Sequence, residues 1–305
     1  MLYIRLKGRL GNQLFIYSFA RALYQKYGYK VLIYDRKDEK DAMWHSHLKN
    51  YALNKNIKFT SNKKDIMNMS PISKGLFVYD RLRIRHLSPR DRYNFQIKNL
   101  EKFRKHRLFL LMDGYVPLPS RIKDKTFFDG YFQSPRYFNS IRNEIITELT
   151  PSYNYTDEDK KFIEKIKNTE SVCVTIRLGD YINNSTHQVC SKSFYINAMK
   201  KMKKLYPKCT FFIFSDEIDR ARKIFDFDFP VIYDSGKMKD YASLHVMSMC
   251  KHFIISNSSF SWWAQYLSTN PNKKVIAPDK WYAKDVPCDI FEDNWILMKG
   301  KNEAR

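Results

Sequence analysis

Apolar residues in the second half of the chain fall into short continuous runs, separated by segments with helical periodicity. These runs predict strands at residues 172–176, 210–214, 231–233, 253–256 and 275–277. Helices are predicted between them at residues 191–206, 216–225, 241–251 and 259–268. Strands that are apolar throughout, rather than alternating with polar residues, are typical of parallel sheets covered on both faces. The pattern therefore predicts an α/β domain with right-handed helical connections.

The first half of the chain predicts a similar but less regular unit. Strands are predicted at residues 2–6, 30–34 and 127–133, and helices at residues 14–23 and 137–149. Gly28 follows the first helical run, where a glycine suits a left-handed helix end. Residues 36–125 mix basic and aromatic side chains without a clear period, so only scattered helices are predicted there.

A short polar stretch marks the predicted domain boundary. Pro151 ends a helix, and residues 152–159 contain few large aliphatic side chains. The chain is therefore divided into domains at residues 1–155 and 156–305. Together these patterns predict two Rossmann-like, doubly wound α/β domains facing a cleft. Because such folds bind ligands beyond the carboxyl ends of their strands, we expect the site in strand-to-helix loops.

Composition and charge narrow the classes of protein to consider. Hydrophobic residues make up 44% of the 305 residues, and no apolar run approaches the roughly 18–20 residues of a membrane-spanning helix. The start of the chain lacks the apolar core of a secretory signal, and the five cysteines contain no C-x-x-C pair, so we expect a reduced, cytoplasmic protein. The net charge of +22 attracts polyanions, namely nucleic acid, an anionic membrane or a phosphorylated substrate; solvated basic faces explain it equally well.

Two strand-to-helix loops combine glycine with polar side chains. The first contains Gly8 and Gly11, which let the backbone approach a ligand closely, and Asn12, which stands at a predicted helix N-cap. This loop is not the G-x-G-x-x-G fingerprint of dinucleotide-binding domains. The second loop places Arg177 at the end of a buried strand, where a guanidinium is stable only beside an anion. That anion is either a ligand phosphate or the carboxylate of Asp180.

A third loop runs from a strand into a helix and contains Asn257, Ser258 and Ser259. Its hydroxyl and unpaired N–H groups can bind an anion at the helix N-terminus, or the hydroxyls can simply cap the helix. Ser215 and Asp216, at the end of another strand, can likewise cap a helix or hold a ribose hydroxyl. The seven histidines show no zinc-binding spacing, so no metal site is predicted.

Five segments together resemble one enzyme family. They are Gly8-Arg-Leu-Gly-Asn-Gln-Leu-Phe15, Gly130-Tyr-Phe-Gln133, Ile213-Phe-Ser-Asp216, Ser256-Asn-Ser-Ser-Phe-Ser-Trp-Trp263 and Val275-Ile-Ala-Pro-Asp-Lys-Trp281. Their order and spacing resemble those of the bacterial α-1,2-fucosyltransferases of glycosyltransferase family 11. The resemblance implies a GT-B-type architecture, an inverting mechanism without a metal, GDP-fucose as the donor and a galactose-type hydroxyl as the acceptor. One loop departs from the family's typical H-x-R-R-G-D-Y, because Thr175 replaces the histidine and Leu178 the second arginine.

The loop residues then acquire expected roles. Arg177 meets the diphosphate of the donor, assisted by the helix N-terminus behind it. Asn12 positions the acceptor or the glycosidic oxygen, and Asp180 is the candidate base unless it only orients Arg177. The residues expected to bind the nucleotide are Gly8, Gly11, Arg177, Ser215, Asp216, Asn257, Ser258 and Ser259.

The expected partners are a GDP-sugar donor and a glycan acceptor, including a lipid-diphosphate-linked form. The basic surface would then hold a cytoplasmic enzyme peripherally at the inner face of the plasma membrane. The altered second loop leaves open a transferase of the same fold with another nucleotide-sugar donor. A basic nucleic-acid-binding protein is the alternative of a different class, although neither a known module nor a basic face interleaved with aromatics supports it.

Overall fold

The computed structural model describes residues 1–35, 47–66, 69–181 and 184–301. The chain divides into two compact units. Unit 1 comprises Met1–Thr150 and Asp285–Phe291, and unit 2 comprises Pro151–Lys284 and Glu292–Arg305. The division at Thr150 lies five residues before the predicted boundary, and residues 285–291 belong to unit 1 instead of the second domain.

Side-chain contacts hold this late segment within unit 1. Ser134 Oγ donates a hydrogen bond to Asp289 Oδ2 at 2.6 Å. Arg90 makes a two-pronged contact with Asp285, with Nε–Oδ2 at 2.9 Å and Nη2–Oδ1 at 2.6 Å. Local sequence patterns do not reveal such partners, because they lie more than 150 residues away along the chain.

Unit 1 is built on a five-stranded parallel sheet in the order β3-β2-β1-β5-β4. Its strands are β1 (Leu2–Arg5), β2 (Val31–Tyr34), β3 (Ile57–Thr60), β4 (Leu108–Leu111) and β5 (Phe127–Gly130). Its helices are α1 (Leu10–Tyr27), α2 (Lys63–Ile66), α3 (Pro71–Ile84), α4 (Pro89–Lys98), α5 (Leu100–Lys105) and α6 (Arg142–Glu148). Phe127 packs against Phe77 of α3, and its neighbour Phe128 packs against Phe19 of α1. Because successive strand residues point to opposite faces, helices cover both faces of the sheet.

The ends of α1 test two sequence predictions. Gly28 adopts a left-handed conformation (φ 71°), and its N–H binds the carbonyl of Tyr24 at 2.9 Å, which confirms the predicted helix end. The prediction that Asn12 is the N-cap is wrong. The helix begins at Leu10 with Arg9 as its N-cap, so Asn12 lies inside the first turn.

Two strands fall in the region where only scattered helices were predicted. In β3 only Ile57 is buried, so the strand shows little apolar pattern. In β4 all four residues are buried, but a run this short does not distinguish a strand from a helix. Residues 36–46 and 67–68 of the same region lie outside the described residues.

Unit 2 is built on a six-stranded parallel sheet in the order β11-β10-β9-β6-β7-β8. Its strands are β6 (Ser171–Ile176), β7 (Thr210–Ser215), β8 (Val231–Tyr233), β9 (His252–Ile254), β10 (Val275–Pro278) and β11 (Ile296–Met298). Its helices are α7 (Asp157–Lys167), α8 (Lys192–Leu205), α9 (Ile218–Ile224), α10 (Asp240–Ser248) and α11 (Ser259–Tyr266). Phe212 packs against Phe162 of α7, whereas Phe211 belongs to the core that α8 covers on the other face.

The strand order of unit 2 is that of the dinucleotide-binding Rossmann fold, in which the direction of winding reverses once. The reversal lies between β6 and β9, which are neighbours in the sheet although helices and two strands separate them in sequence. Two parallel α/β units confirm the predicted fold class, a GT-B-type pair of Rossmann-like domains. Among the described helices, none has the length and apolar character needed to cross a membrane.

Candidate functional site

The winding reversal in unit 2 brings two of the predicted loops together. The loop after β6 contains Arg177, and the loop after β9 contains Asn257. Within β6, Thr175 Oγ1 accepts a hydrogen bond from the backbone N–H of Ser256 at 3.0 Å, which ties the two strand ends. Tyr181 makes a second link by donating its hydroxyl hydrogen to the carbonyl of Asn257 at 3.2 Å. The sheet reversal is where open α/β folds bind their ligands.

Arg177 is surrounded by anionic and aromatic groups. Its Nη2 donates to Asp180 Oδ1 at 2.6 Å, and its Nη1 lies 3.2 Å from Asp216 Oδ2. The guanidinium carbon lies 5.4 Å from the ring centre of Tyr181. The side chain is only 18% exposed, and its Nε has no hydrogen-bond partner among the described residues. The Asp180 pairing that the sequence left open is therefore present.

Asp216 organises the loop that carries Arg177. Its carboxylate accepts hydrogen bonds from the backbone N–H of Leu178 at 2.9 Å and of Gly179 at 3.0 Å. A Cβ at Gly179 would lie 2.5 Å from Asp216 Oδ2, so the glycine makes room for this carboxylate. Ser215 accepts a hydrogen bond from the N–H of Glu217 at 3.1 Å and stabilises the following turn. Ser215 and Asp216, which were predicted to bind the nucleotide, thus both accept hydrogen bonds from the protein backbone.

Replacing Asp216 by asparagine is expected to lower the free energy of unfolding by about 1–2 kcal/mol, since the amide turns an NH₂ group toward one of the two N–H donors. Urea unfolding of the variant and of the parent protein measures this difference. Asp219→Asn, in the first turn of α9, is the matched control and should change stability less. Equal effects from the two substitutions would contradict the assigned role of Asp216.

The serines of the third loop do not cap α11 with their side chains. Ser258 occupies the N-cap position, but its hydroxyl accepts no N–H of the helix. Ser256 Oγ lies 2.9 Å from Ser261 Oγ, inside the unit. The simple capping interpretation is therefore wrong for Ser258, and in the described part of the chain the N-cap side chain leaves the N-terminal N–H groups of α11 uncapped. Such a helix start attracts anions.

A cavity of about 220 Å³ adjoins Arg177 in unit 2. Its lining includes Arg177, Tyr181, His187, Cys190, Tyr195 and Asn257. His187 stacks on Tyr181 with ring centres 5.0 Å apart, and burial lowers the pKa of His187, so its imidazole is neutral near pH 7. Burial raises the pKa of Cys190 to about 12, which keeps its thiol protonated.

Asn257 supports the wall of this cavity. Its side-chain nitrogen donates to the carbonyls of His187 and Trp281, each at 2.9 Å. Only 2% of the residue is exposed. Sequence reasoning missed His187, Cys190 and Tyr195, because they belong to no motif. His187 and Cys190 lie between the β6 loop and α8, and Tyr195 lies in the first turn of α8.

Unit 1 has a corresponding reversal between β1 and β5. Asn12 Oδ1 accepts a hydrogen bond from Gln133 Nε2 at 2.7 Å, which joins the loops after these two strands. Gly8 has a φ of 70°, and a Cβ there would lie 2.4 Å from Asn12 Nδ2. Gln13 Nε2 donates to the carbonyl of Gly8 at 2.9 Å, and Gly11 is buried in the first turn of α1.

A buried ionic cluster lies beneath these unit 1 loops. Asp129 is fully buried and pairs with Lys7 and Arg81. Burial lowers the pKa of Lys7, although the Asp129 carboxylate opposes this shift. Sequence reasoning missed the cluster, because its members come from the loop after β1, from α3 and from β5, which are far apart in the chain.

The predicted site residues therefore divide between the units. Gly8, Gly11 and Asn12 lie in unit 1, and the remaining predicted residues lie in unit 2. Within the described ranges, no group of three or more His, Cys, Asp or Glu side chains could hold a metal ion.

Comparisons with known proteins place the chain among glycosyltransferases. The family model described as Glycosyl transferase family 11 matches residues 1–299. An alpha-1,2-colitosyltransferase of Escherichia coli is 27% identical over 97% of this chain and 98% of its own length. A galactoside 2-alpha-L-fucosyltransferase of Caenorhabditis elegans is 30% identical over 55% of this chain and 51% of its own. The crystal structure of fucosyltransferase NodZ from Bradyrhizobium has a TM-score of 0.49 at 12% identity, covering 87% of this chain and 92% of that one.

Proposed function

Since the chain belongs to glycosyltransferase family 11 and is a glycosyltransferase, we propose that it transfers L-fucose from GDP-fucose to a sugar hydroxyl, with inversion. The acceptor is the 2-hydroxyl of a galactose residue in a bacterial surface glycan or its lipid-diphosphate-linked precursor. The observation that carries the proposal is that Arg177 and Asn257, in the loop that leads into α11, line one cavity at the sheet reversal. We assign GDP to unit 2 and the acceptor to unit 1.

The charge at this site suits the departure of a diphosphate. Sugar transfer breaks the anomeric C–O bond through an oxocarbenium-like state, while negative charge grows on the leaving GDP. The planar guanidinium of Arg177 can bind two phosphate oxygens at once. The N–H groups at the start of α11 can bind others. These two groups together supply positive potential, so the proposed reaction requires no metal ion.

Asp180 connects donor binding with proton removal in this proposal. Its carboxylate is 52% exposed and pairs with Arg177. A diphosphate competes for the same guanidinium and would release Asp180 to accept the proton of the acceptor hydroxyl. Asn12, fixed by Gln133, is assigned to orient the acceptor or the glycosidic oxygen.

A different donor sugar is the second candidate, because one relative is named for colitose. Colitose is fucose without its 3-hydroxyl. Leu178 is 7% exposed and packs in the core, and Thr175 binds backbone. Unit 2 therefore lacks the two polar side chains that the typical family loop provides at these positions, which favours a less hydroxylated sugar.

Thermal unfolding with GDP, UDP, ADP and a short oligonucleotide, at matched ionic strength, tests the nucleotide assignment. GDP at 100 times its dissociation constant should stabilise the protein by about 2.7 kcal/mol, and UDP and ADP should have little effect. Transfer assays with GDP-fucose and GDP-colitose on a galactoside acceptor then distinguish the two donors. Stabilisation by UDP alone, or by the oligonucleotide alone, would overturn the GDP-sugar proposal.

A further inference from the structure

Helix α3 of unit 1 carries an apolar stripe on its solvent face. Ile72, Val78, Tyr79 and Leu82 expose 60%, 53%, 43% and 63% of their surface, respectively. At 100° per residue, the four side chains lie within a sector of about 120°. We call these four residues the α3 stripe. Single exposed apolar residues are ordinary on proteins, but a contiguous set marks an interaction surface.

The opposite side of α3 is fixed to unit 1. Phe77 packs edge-on against Phe127 of the sheet, with ring centres 5.5 Å apart. Asp80 is fully buried and accepts a hydrogen bond from Gln96 Nε2 at 3.0 Å. Rotation of the helix would break these contacts, so the stripe cannot turn inward to bury itself.

Positive charge borders the stripe. Residues 71–107 contain eleven Lys or Arg and three Asp or Glu, a net charge of +8 within the chain's +22. Lys74, Arg83 and Arg85 are exposed on α3 or just after it, and none pairs with a carboxylate in the described part of the chain. Lys102 lies over the ring of the stripe's tyrosine, 5.8 Å from its centre. The only acidic residue of α3 is the buried Asp80.

We propose that the α3 stripe and its bordering cations dock on an anionic phospholipid membrane. The apolar side chains enter the boundary between headgroups and acyl chains, and the Lys and Arg side chains bind lipid phosphates. The combination favours a membrane over nucleic acid, since a phosphate backbone offers no apolar layer to exposed Leu, Val and Ile side chains. This docking goes beyond the proposed sugar transfer and does not depend on which sugar is moved.

Vesicle sedimentation of the full chain tests the proposal. We expect binding to phosphatidylcholine–phosphatidylglycerol vesicles, weaker binding at high salt, and little binding to pure phosphatidylcholine. A V78S/L82S double variant should bind about tenfold more weakly, because less apolar surface enters the bilayer. An R83Q/R85Q variant should also lose about tenfold or more in affinity, with a reduced dependence on salt.

Leu205→Ser is the matched control, since Leu205 is 43% exposed beside lysines at the end of α8 in unit 2. It should bind vesicles like the parent protein, and circular dichroism checks that every variant is folded. Equal binding by V78S/L82S and the parent would overturn the proposal, as would absence of binding to anionic vesicles. A dimer in solution that V78S/L82S dissociates, without vesicle binding, would assign the stripe to a second copy instead. Transfer to a water-soluble acceptor is measured separately, so failure of the proposed function remains distinguishable.

Discussion

Replacing Arg177 by lysine is expected to lower kcat for sugar transfer about 10²- to 10³-fold, the usual cost of losing one donor to a developing oxyanion. Lysine keeps the charge, but a single ammonium cannot bind two phosphate oxygens in the planar geometry of a guanidinium. The two Nη atoms of Arg177 also pair with Asp180 and Asp216, and a single ammonium cannot keep both contacts in the same geometry. Steady-state kinetics with saturating donor and acceptor, together with GDP binding, measure the loss.

Arg220→Lys provides a matched control for this substitution. Arg220 also pairs with an acid three residues away, Glu217, at 3.0 Å, but on the surface of α9. Its replacement should leave kcat nearly unchanged. Asp180→Asn separates the two roles of that carboxylate. If Asp180 is the base, the variant should lose turnover and keep its affinity for GDP; if Asp180 only orients Arg177, the variant should lose both. Normal turnover by Arg177→Lys would show that another group meets the diphosphate.

Gly130→Ala is expected to have the largest effect on stability, lowering the free energy of unfolding by about 3 kcal/mol. Gly130 ends β5, which lies between β1 and β4 in the sheet. A Cβ there would lie 1.9 Å from the carbonyl oxygen of Leu111 in β4. This oxygen belongs to the backbone, so relief requires the strands to separate. Chemical denaturation of parent and variant measures the change.

Gly75→Ala, also in unit 1, is expected to change stability in the opposite direction. Gly75 lies inside α3 with nothing within 4 Å of an added Cβ. Alanine should therefore stabilise the protein by about 0.5–1 kcal/mol, because it reduces the freedom of the unfolded chain. If both alanine variants shifted stability in the same direction, the steric explanation for Gly130 would fail.

Most strands formed by a continuous apolar run could be predicted from the sequence, including the partly buried β8, although the fully buried β4 was missed. The runs at β6, β7 and β10 gave their strands to within one residue at either end, because every side chain of a central parallel strand must be apolar or paired. β11 was also missed; its three residues lie partly buried at the sheet edge. β3 was missed because its sequence, IKFT, shows little apolar pattern.

Contacts within the site were predictable from the sequence only where the two partners lie close together along the chain. The Arg177–Asp180 pair could be anticipated because three residues separate the partners. The bonds from Asp216 to the loop of Gly179 could not, since they depend on the register of β6 against β7. Likewise, a family motif indicated Asn12, but only the neighbouring ends of β1 and β5 bring Gln133 to its side chain.

The return of residues 285–291 to unit 1 has a consequence for recombination between relatives. A single crossover near Thr150 would supply unit 1 with a foreign copy of these seven residues. Arg90 and Ser134 would then face the residues that the second parent carries at positions 285 and 289, respectively. Functional chimaeras therefore require two further junctions, one on each side of this segment, so the two units cannot be exchanged as simple halves of the gene.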